Sequence, residues 1–359
     1  MKRFALIVGT RPNFVKAAAV ERALCARGAE VLLVHTGQHF DPALSHSFFA
    51  QLALPAPAHH LGVSAGSRGE QFGAIVRGLA ALLPTLGVAE VIVVGDVTST
   101  AAGAVAADAC DLPLCHVEAG LRSRDPSMPE ERNRRVTDVL ASRWFASEPS
   151  GVANLEAEGV APGRVHLVGN VMIDTLLRFR DAALAGAPWR AHGLERGGYA
   201  VATLHRPGNV DAREPLAESL AVLGEAGRRW PVLFASHPRT QARLREFGLP
   251  VPDGVRLMPP AEYLDFIGLM AGARVVLTDS GGAQEETTAL DVPCLTMREN
   301  TERPITCELG SARLIGRDVA RARPLLDDIA AGRYPPARAV PLWDGKAGER
   351  IAAILVEGA

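Results

Sequence analysis

Short aliphatic runs alternate with longer, Ala-rich segments of helical period along most of this chain. The alternation is typical of parallel β-sheets, because a parallel connection needs a crossover segment, usually a helix, between successive strands. The sequence therefore predicts an α/β protein. Two sets of strands are expected: Phe4–Val8, Val31–His35, Val91–Val94, Leu114–Val117, Trp144–Ala146 and Val165–Val168, then Tyr199–Thr203, Val232–Ala235, Val255–Met258, Val275–Leu277, Cys294–Thr296 and Arg313–Ile315.

The segment Asp181 to Gly198 separates the two sets of strands. It contains Pro188 and four glycines and has little apolar period, which is typical of a linker between domains. A chain of 359 residues also exceeds the usual size of a single core. We therefore expect two α/β domains, with a ligand in the cleft between the carboxyl ends of their sheets.

Polar clusters directly follow several of the predicted strands. They are Gly9–Pro12, Thr36–His39, Gly95–Thr100, His116–Arg122, His205–Arg206 and His237–Pro238. Any one of them is explained by a helix cap or a solvated loop. Six at the same end of parallel strands indicate a functional site.

The segment Thr278 to Glu286 has the features of a diphosphate site. It follows an apolar run and contains Ser280, Gly281 and Gly282 at the start of a predicted helix, where backbone N–H groups bind anions. Glu286 lies one helical turn further on, where a carboxylate can accept two ribose hydroxyls. The alternative is an ordinary Ser-capped helix after a buried strand.

Composition and the absence of other motifs exclude several classes of function. The formal net charge of −2 argues against nucleic-acid and membrane-surface binding. Five cysteines without a CxxC pair are expected to be reduced and mostly buried thiols, and no targeting or membrane segment is predicted, as in a cytoplasmic enzyme. No GxGxxG, no GxxxxGK[ST] and no metal-ligand spacing occurs, so we expect neither a cofactor nor a metal.

Three acids follow as candidate general acids and bases: Asp96, Glu118 and Glu130. Each has a simpler interpretation. Asp96 caps the helix that follows it, Glu118 neutralises Arg122, and Glu130 forms a surface ion pair with Arg134 four residues later.

The motifs GTRPNFVK, TGQH, VVGDVTST, HVEAGLRS, PEERNR, TLHRPGN, TDSGGAQEE and TERP occur in this order. Over about Lys2 to Gly316 the chain thereby resembles the non-hydrolysing UDP-N-acetylglucosamine 2-epimerases. The resemblance implies a GT-B-like fold of two Rossmann-like domains, residues 1–175 and 176–344. It also implies a C-terminal helix, about residues 345–359, that packs back on the first domain.

The implied reaction interconverts UDP-GlcNAc and UDP-ManNAc. UDP leaves C1 as C2 loses its proton, giving 2-acetamidoglucal, and UDP adds again after a proton returns to the opposite face. This route requires no nicotinamide. By the same resemblance a homodimer is expected.

Site residues follow from the motif positions. Asp96, Glu118 and Glu130 resemble the catalytic acids, with Arg134 and His205 beside the diphosphate or the reacting sugar. The remaining positions are Arg11, Ser280, Gly281, Gly282 and Arg303 for the diphosphate, Glu286 for the ribose, Phe266 for the uracil and Lys16 with its role open. Gln38, His39 and Arg206 match an effector site of some relatives, although Asp41 replaces a Gln there.

Four alternatives remain open on the sequence alone. The first two keep the fold and change the chemistry: a hydrolysing epimerase that releases ManNAc and UDP, and an epimerase for a UDP-2,3-diacetamido sugar. A GT-B glycosyltransferase would leave C2 unchanged, and a non-catalytic UDP-sugar sensor would bind UDP without turnover.

Overall fold

The computed structural model of the protein describes residues 1–38, 48–64 and 66–358. The chain forms two compact units. The first unit comprises Met1–Thr175 and Pro341–Ala359, and the second comprises Leu176–Val340.

The first unit alternates strands and helices. In chain order its elements are β1 (Arg3–Val8), α1 (Arg11–Ala26), β2 (Glu30–His35), a helical segment at 48–52, β3 (His59–His60), α2 (Arg68–Leu82), β4 (Glu90–Val94), α3 (Thr98–Asp108), β5 (Leu114–Val117), α4 (Pro129–Leu140), β6 (Arg143–Ala146), α5 (Pro149–Ala157), β7 (Val165–Leu167), the start of α6 (Val171–Gly186) and, from the C-terminus, α14 (Ala347–Glu357).

Within the described residues the first unit has one seven-stranded parallel sheet in the order β3-β2-β1-β4-β5-β6-β7. Small residues bring helices close to it. Gly103 of α3 would place a Cβ only 3.0 Å from Val93 Cγ1 of β4, so a larger residue would require the Val93 side chain to shift. In the same way α14 packs on α1, where a Cβ on Gly348 would lie 2.6 Å from the Ala19 carbonyl oxygen.

The second unit repeats this plan. After the end of α6 its elements are a 3₁₀ turn (Pro188–His192), β8 (Ala200–Thr203), α7 (Pro207–Val210), α8 (Arg213–Gly227), β9 (Val232–Ala235), α9 (Pro238–Glu246), β10 (Val255–Met258), α10 (Tyr263–Gly272), β11 (Val275–Thr278), α11 (Gly281–Leu290), β12 (Cys294–Thr296), α12 (Ile305–Glu308), β13 (Ala312–Leu314) and α13 (Val319–Ala330). Its six-stranded sheet is also parallel, in the order β10-β9-β8-β11-β12-β13. The prediction of an α/β protein with two parallel sheets is confirmed.

Three local expectations were wrong. Strand β3 was not predicted, because its two residues pair with β2 but carry no aliphatic run. Residues 181–186, assigned to a linker, are the last turns of α6. Cys25 is exposed and only Cys115 and Cys294 are buried, so the thiols are not mostly buried, although all five are unpaired.

Among the described residues, no helix is both long and apolar enough to cross a membrane.

Candidate active site

Asp96 follows β4, and its carboxylate forms an ion pair with Arg134 of α4. The capping interpretation is wrong, because the N-cap residue of α3 is Val97, which makes no side-chain capping hydrogen bond. Asn133 of α4 also donates to the Asp96 carbonyl oxygen at 2.8 Å. Arg134 is 1% exposed, so its charge acts on Asp96 with little screening by water.

Glu118 follows β5, the strand that pairs with β4. Its carboxylate forms an ion pair with Lys16 of α1, and both side chains are buried. The expected pairing with Arg122 is absent, since the Arg122 guanidinium contacts Asp138 and Glu158 instead. Glu118 also has a φ of 72°, a strained conformation for a non-glycine residue that is common at functional sites.

The Asp96 and Glu118 segments lie side by side. A Cβ built on Gly95, the residue before Asp96, would lie 3.0 Å from Lys16 Nζ and 3.5 Å from Glu118 Oε2. The two ion-paired carboxylates therefore belong to one site at the carboxyl ends of β4 and β5.

Glu130 is the second residue of α4 and is half-buried. The expected ion pair with Arg134 does not form, because Arg134 is turned toward Asp96 and Glu131. Within the described part of the chain the Glu130 carboxylate has no ion pair or hydrogen bond. It thus differs from Asp96 and Glu118, which each have a buried cation.

Glu131, which the sequence analysis did not select, organises the start of α4. Its carboxylate accepts hydrogen bonds from Ser123 N at 2.8 Å, Ser123 Oγ at 2.9 Å and Arg124 N at 3.1 Å, and it pairs with Arg134. Burial favours a higher pKa for Glu131, but the bonds from Ser123 and the Arg134 charge lower the pKa overall. In the sequence Glu131 is indistinguishable from Glu130, since both occupy the first turn of one helix.

In the second unit, α11 begins at Gly281 with Ser280 as its N-cap, and Ser280 Oγ accepts from Ala283 N at 3.4 Å. N–H groups in the first turn of a helix have no intrahelical acceptor. Arg303 lies against this turn, since a Cβ on Gly281 would be 2.4 Å from Arg303 Nη1. A cation and free backbone donors therefore converge at the position predicted for the diphosphate.

Buried acids hold Arg303 in place. Its Nε lies 2.7 Å from Glu285 Oε1, and its Nη1 pairs with Glu302. Glu302 also lies 2.6 Å from Arg298. Burial favours a higher pKa for Glu302, but the charges of Arg303, Arg298 and Arg206 hold the pKa well below its usual value. Glu302 therefore stays ionised.

His205 follows β8 and has an exposed side chain, with Nδ1 2.9 Å from the fully buried Asp279 carboxylate. Asp279 also accepts from the backbone N of Arg206 at 2.9 Å and from Asn209 Nδ2 at 3.0 Å. Burial favours a higher pKa for Asp279, but His205 and these hydrogen bonds lower the pKa overall. The contact with Asp279 turns Nδ1 of His205 toward the protein interior. Nε2 is therefore the ring nitrogen that is available to a ligand.

The residues predicted for the nucleoside also lie in the second unit. Tyr263 donates to Glu286 Oε1 at 3.4 Å, and burial and then the Glu286 charge raise the pKa of Tyr263 well above its usual value. Phe266 lines a cavity of about 210 Å³, bounded by residues at the carboxyl ends of β8 and β9: Thr203, Leu204, His205, Ala235 and His237, with Pro260 and Ala261.

The predicted site residues thus fall into two groups. One group belongs to the first unit and the other to the second. Arg11 belongs to the first unit, as the three acids do; it lies at the start of α1, with its guanidinium 5.8 Å from the Phe48 ring. Of the predicted effector residues, Gln38 accepts from Ser99 N at 3.0 Å, and Arg206 Nε donates to the Asp279 carbonyl oxygen. His39 and Asp41 lie outside the described residues. No cluster of three or more potential metal ligands occurs among those described.

Comparison with known proteins identifies the family. A family model described as UDP-N-acetylglucosamine 2-epimerase matches residues 22–356. The UDP-N-acetylglucosamine 2-epimerase of Methanocaldococcus jannaschii is 35% identical over 365 aligned positions, covering 99% of each chain. The UDP-2,3-diacetamido-2,3-dideoxy-D-glucuronate 2-epimerase of Pseudomonas aeruginosa is 37% identical over 317 positions, covering 86% of this chain and 87% of that one.

A solved structure matches the whole fold. The crystal structure of the M. jannaschii UDP-GlcNAc 2-epimerase in complex with UDP-GlcNAc and UDP has a TM-score of 0.92 to this chain, at 35% identity and with 99% of this chain and 100% of that one covered. The GT-B-like fold is therefore shared. By sequence and by fold, the chain belongs to the UDP-N-acetylglucosamine 2-epimerase family.

Proposed function

We propose that this protein interconverts UDP-GlcNAc and UDP-ManNAc by elimination and re-addition of UDP. The observation that carries the proposal is the pairing of two carboxylates with buried cations, Asp96 with Arg134 and Glu118 with Lys16. A neighbouring cation favours the ionised form of a carboxylate, which is the form that accepts a proton. Family membership supports the same reaction.

The proposed chemistry balances without an oxidant. A carboxylate of the first unit takes the proton from C2, the C1–O bond breaks with its electron pair on the diphosphate, and a C1=C2 double bond forms. A proton then returns to C2 from the opposite face, and the diphosphate oxygen re-forms the bond to C1. Proton transfer and leaving-group stabilisation are sufficient for these steps, so turnover is expected to persist in a chelator.

The second unit supplies the binding of UDP in this proposal. The first turn of α11 and Arg303 take the diphosphate, where they stabilise the charge that develops as the C1–O bond breaks. Glu286 accepts the ribose hydroxyls, and the cavity lined by Phe266 takes the uracil. His205, with Nε2 turned away from Asp279, interacts with the diphosphate or the sugar.

Substitution of the acids tests the proposal. Asp96→Asn, Glu118→Gln and Glu130→Gln are each expected to lower kcat by on the order of a hundredfold or more, with UDP affinity little changed. The exposed Glu156 of α5, in the same unit, provides the control Glu156→Gln, which should leave kcat unchanged. Near-normal turnover in any of the three would remove that residue from the mechanism.

One observation supports a second candidate substrate. The P. aeruginosa relative, at 37% identity, is a 2-epimerase for a UDP-2,3-diacetamido uronic acid. The two candidates share the chemistry at C2 and differ at C3 and C6. Comparing kcat/KM for both nucleotide sugars decides between them, and UDP-GlcNAc is expected to be preferred.

Two finer points also belong to the proposal. Epimerisation without net hydrolysis predicts that UDP-ManNAc accumulates before any free ManNAc. A homodimer is expected from the family, and light scattering during size-exclusion chromatography tests it by measuring the molar mass in solution.

A further inference from the structure

His116 is fully buried on β5, two residues before Glu118, and both of its ring nitrogens face acceptors. Nδ1 lies 2.6 Å from Asp138 Oδ1, and Nε2 lies 2.8 Å from the Gly95 carbonyl oxygen. A backbone carbonyl oxygen only accepts hydrogen bonds. The contact with Gly95 therefore requires a proton on Nε2.

The contact with Asp138 requires a proton on Nδ1 as well, provided that Asp138 is ionised. Asp138 Oδ2 accepts from Arg122 Nη1 at 2.7 Å and from Gly120 N at 3.2 Å, and the pairing with the Arg122 cation favours the ionised carboxylate. Both ring nitrogens of His116 thus act as donors.

The charges around His116 balance. Arg122, which pairs with Asp138, also binds Glu158 through two contacts of 2.8 and 2.6 Å. Two cations, His116 and Arg122, therefore face two carboxylates, Asp138 and Glu158. A buried charge is tolerated when it is paired and hydrogen-bonded in this way.

This cluster connects the three segments that carry the acids of the first unit. Gly95 directly precedes Asp96, and His116 is on β5, the strand that Glu118 directly follows. Asp138 lies two turns along α4 from Glu130. We propose that His116 is held as an imidazolium and is a positioning residue for these three carboxylates. It does not touch the substrate but fixes the Gly95 carbonyl, β5 and α4 relative to one another. The catalytic part of this inference rests on the proposed function, whereas the protonation state does not.

NMR of the ring nitrogens tests the protonation state directly. The ¹⁵N-histidine-labelled protein is studied at pH 8, well above the ordinary histidine pKa of about 6.5. The His116 signals are assigned by their loss in His116→Gln. We expect both nitrogens to carry a proton; a ring with one unprotonated nitrogen would overturn the inference, whatever sugar the enzyme uses.

His35 is a matched internal control. It is equally buried, on β2 of the same sheet, but Nδ1 accepts from Gly37 N at 2.9 Å. Burial and then the neighbouring His60 lower the pKa of His35 to about 4. The same spectrum should therefore show His35 as a neutral ring.

Kinetics test the positioning role. His116→Gln keeps a donor for one contact but cannot carry the charge, and we expect kcat to fall by about tenfold or more while the Kd for UDP stays within about threefold. The control His166→Gln, on β7, should leave both unchanged. If His116→Gln does not fold, Asp138→Asn takes its place for assignment and kinetics, with loss of one ring proton from His116 expected. A kcat within twofold of wild type in the folded variant would refute the positioning role.

Discussion

Removal of Lys16 should destabilise the first unit strongly, because its ammonium neutralises a carboxylate that is almost entirely removed from water. The side chains of Lys16 and Glu118 are 6% and 4% exposed. Breaking a buried ion pair by removing one partner costs about 3–5 kcal/mol, since the other charge stays buried. For a unit of this size, that corresponds to a fall in Tm of roughly 6–20 °C.

A double-mutant cycle isolates the interaction. Lys16→Met and Glu118→Gln are each expected to cost about 3–5 kcal/mol, whereas the double variant removes both charges and should cost clearly less than their sum. The expected coupling energy is about 2 kcal/mol or more. Urea denaturation gives the free energy of unfolding of each variant.

The pair Arg3–Glu30 is a matched control in the same unit. Its Nε–Oε2 distance is 2.7 Å, but the two side chains are 42% and 34% exposed. Solvent screening limits such pairs to about 0–1 kcal/mol. If the effects of Lys16→Met and Glu118→Gln were additive within about 0.5 kcal/mol, the two side chains would not stabilise the folded unit through their ion pair.

Two further predictions concern the second unit. Gly281→Ala places a methyl group 2.4 Å from Arg303 Nη1, so the affinity for UDP measured by calorimetry should fall by about tenfold. The control Gly69→Ala, in the first turn of α2 where a Cβ meets nothing within 4 Å, should leave the affinity for UDP unchanged. If Gly281→Ala bound UDP as tightly as the wild type, the contact of Arg303 with the diphosphate would be refuted. Hydrogen bonds from Arg323 and then Arg229 lower the pKa of Glu225 to about 2. Because the folded pKa is depressed, this stabilisation is complete above about pH 4.5 and is lost as the pH falls toward 2. Glu225→Gln should reduce the pH dependence of stability across that range, and an unchanged slope in acid denaturation would contradict this.

The order of strands and helices was predictable because hydrophobic period and turn residues are local signals. The apolar runs at 91–94 and 275–277 lie within β4 and β11. By contrast, β3 has two residues, His59 and His60, and exists through its pairing with β2. Tertiary pairing of this kind leaves no periodic pattern in the sequence.

The partners of the site residues were not predictable, because they are distant in sequence. Local spacing suggested that Arg122 binds Glu118 and that Arg134 binds Glu130. The fold instead brings Lys16 to Glu118 across 102 residues. Asp279 lies in the motif TDSGGAQEE, but its contact with His205 was not predicted. This contact forms because β11 pairs with β8, which places the residues that follow the two strands side by side. Helix and strand ends predict where a polar residue lies, while the ion pair that it forms depends on the whole unit.

The central claim is that the acids of the first unit exchange the proton on C2 while UDP is detached. NMR of UDP-GlcNAc with the enzyme in deuterated water measures this most directly. We expect UDP-ManNAc as the first product, with deuterium at C2 in both nucleotide sugars. UDP-ManNAc without deuterium at C2, or free ManNAc and UDP as the first products, would contradict it.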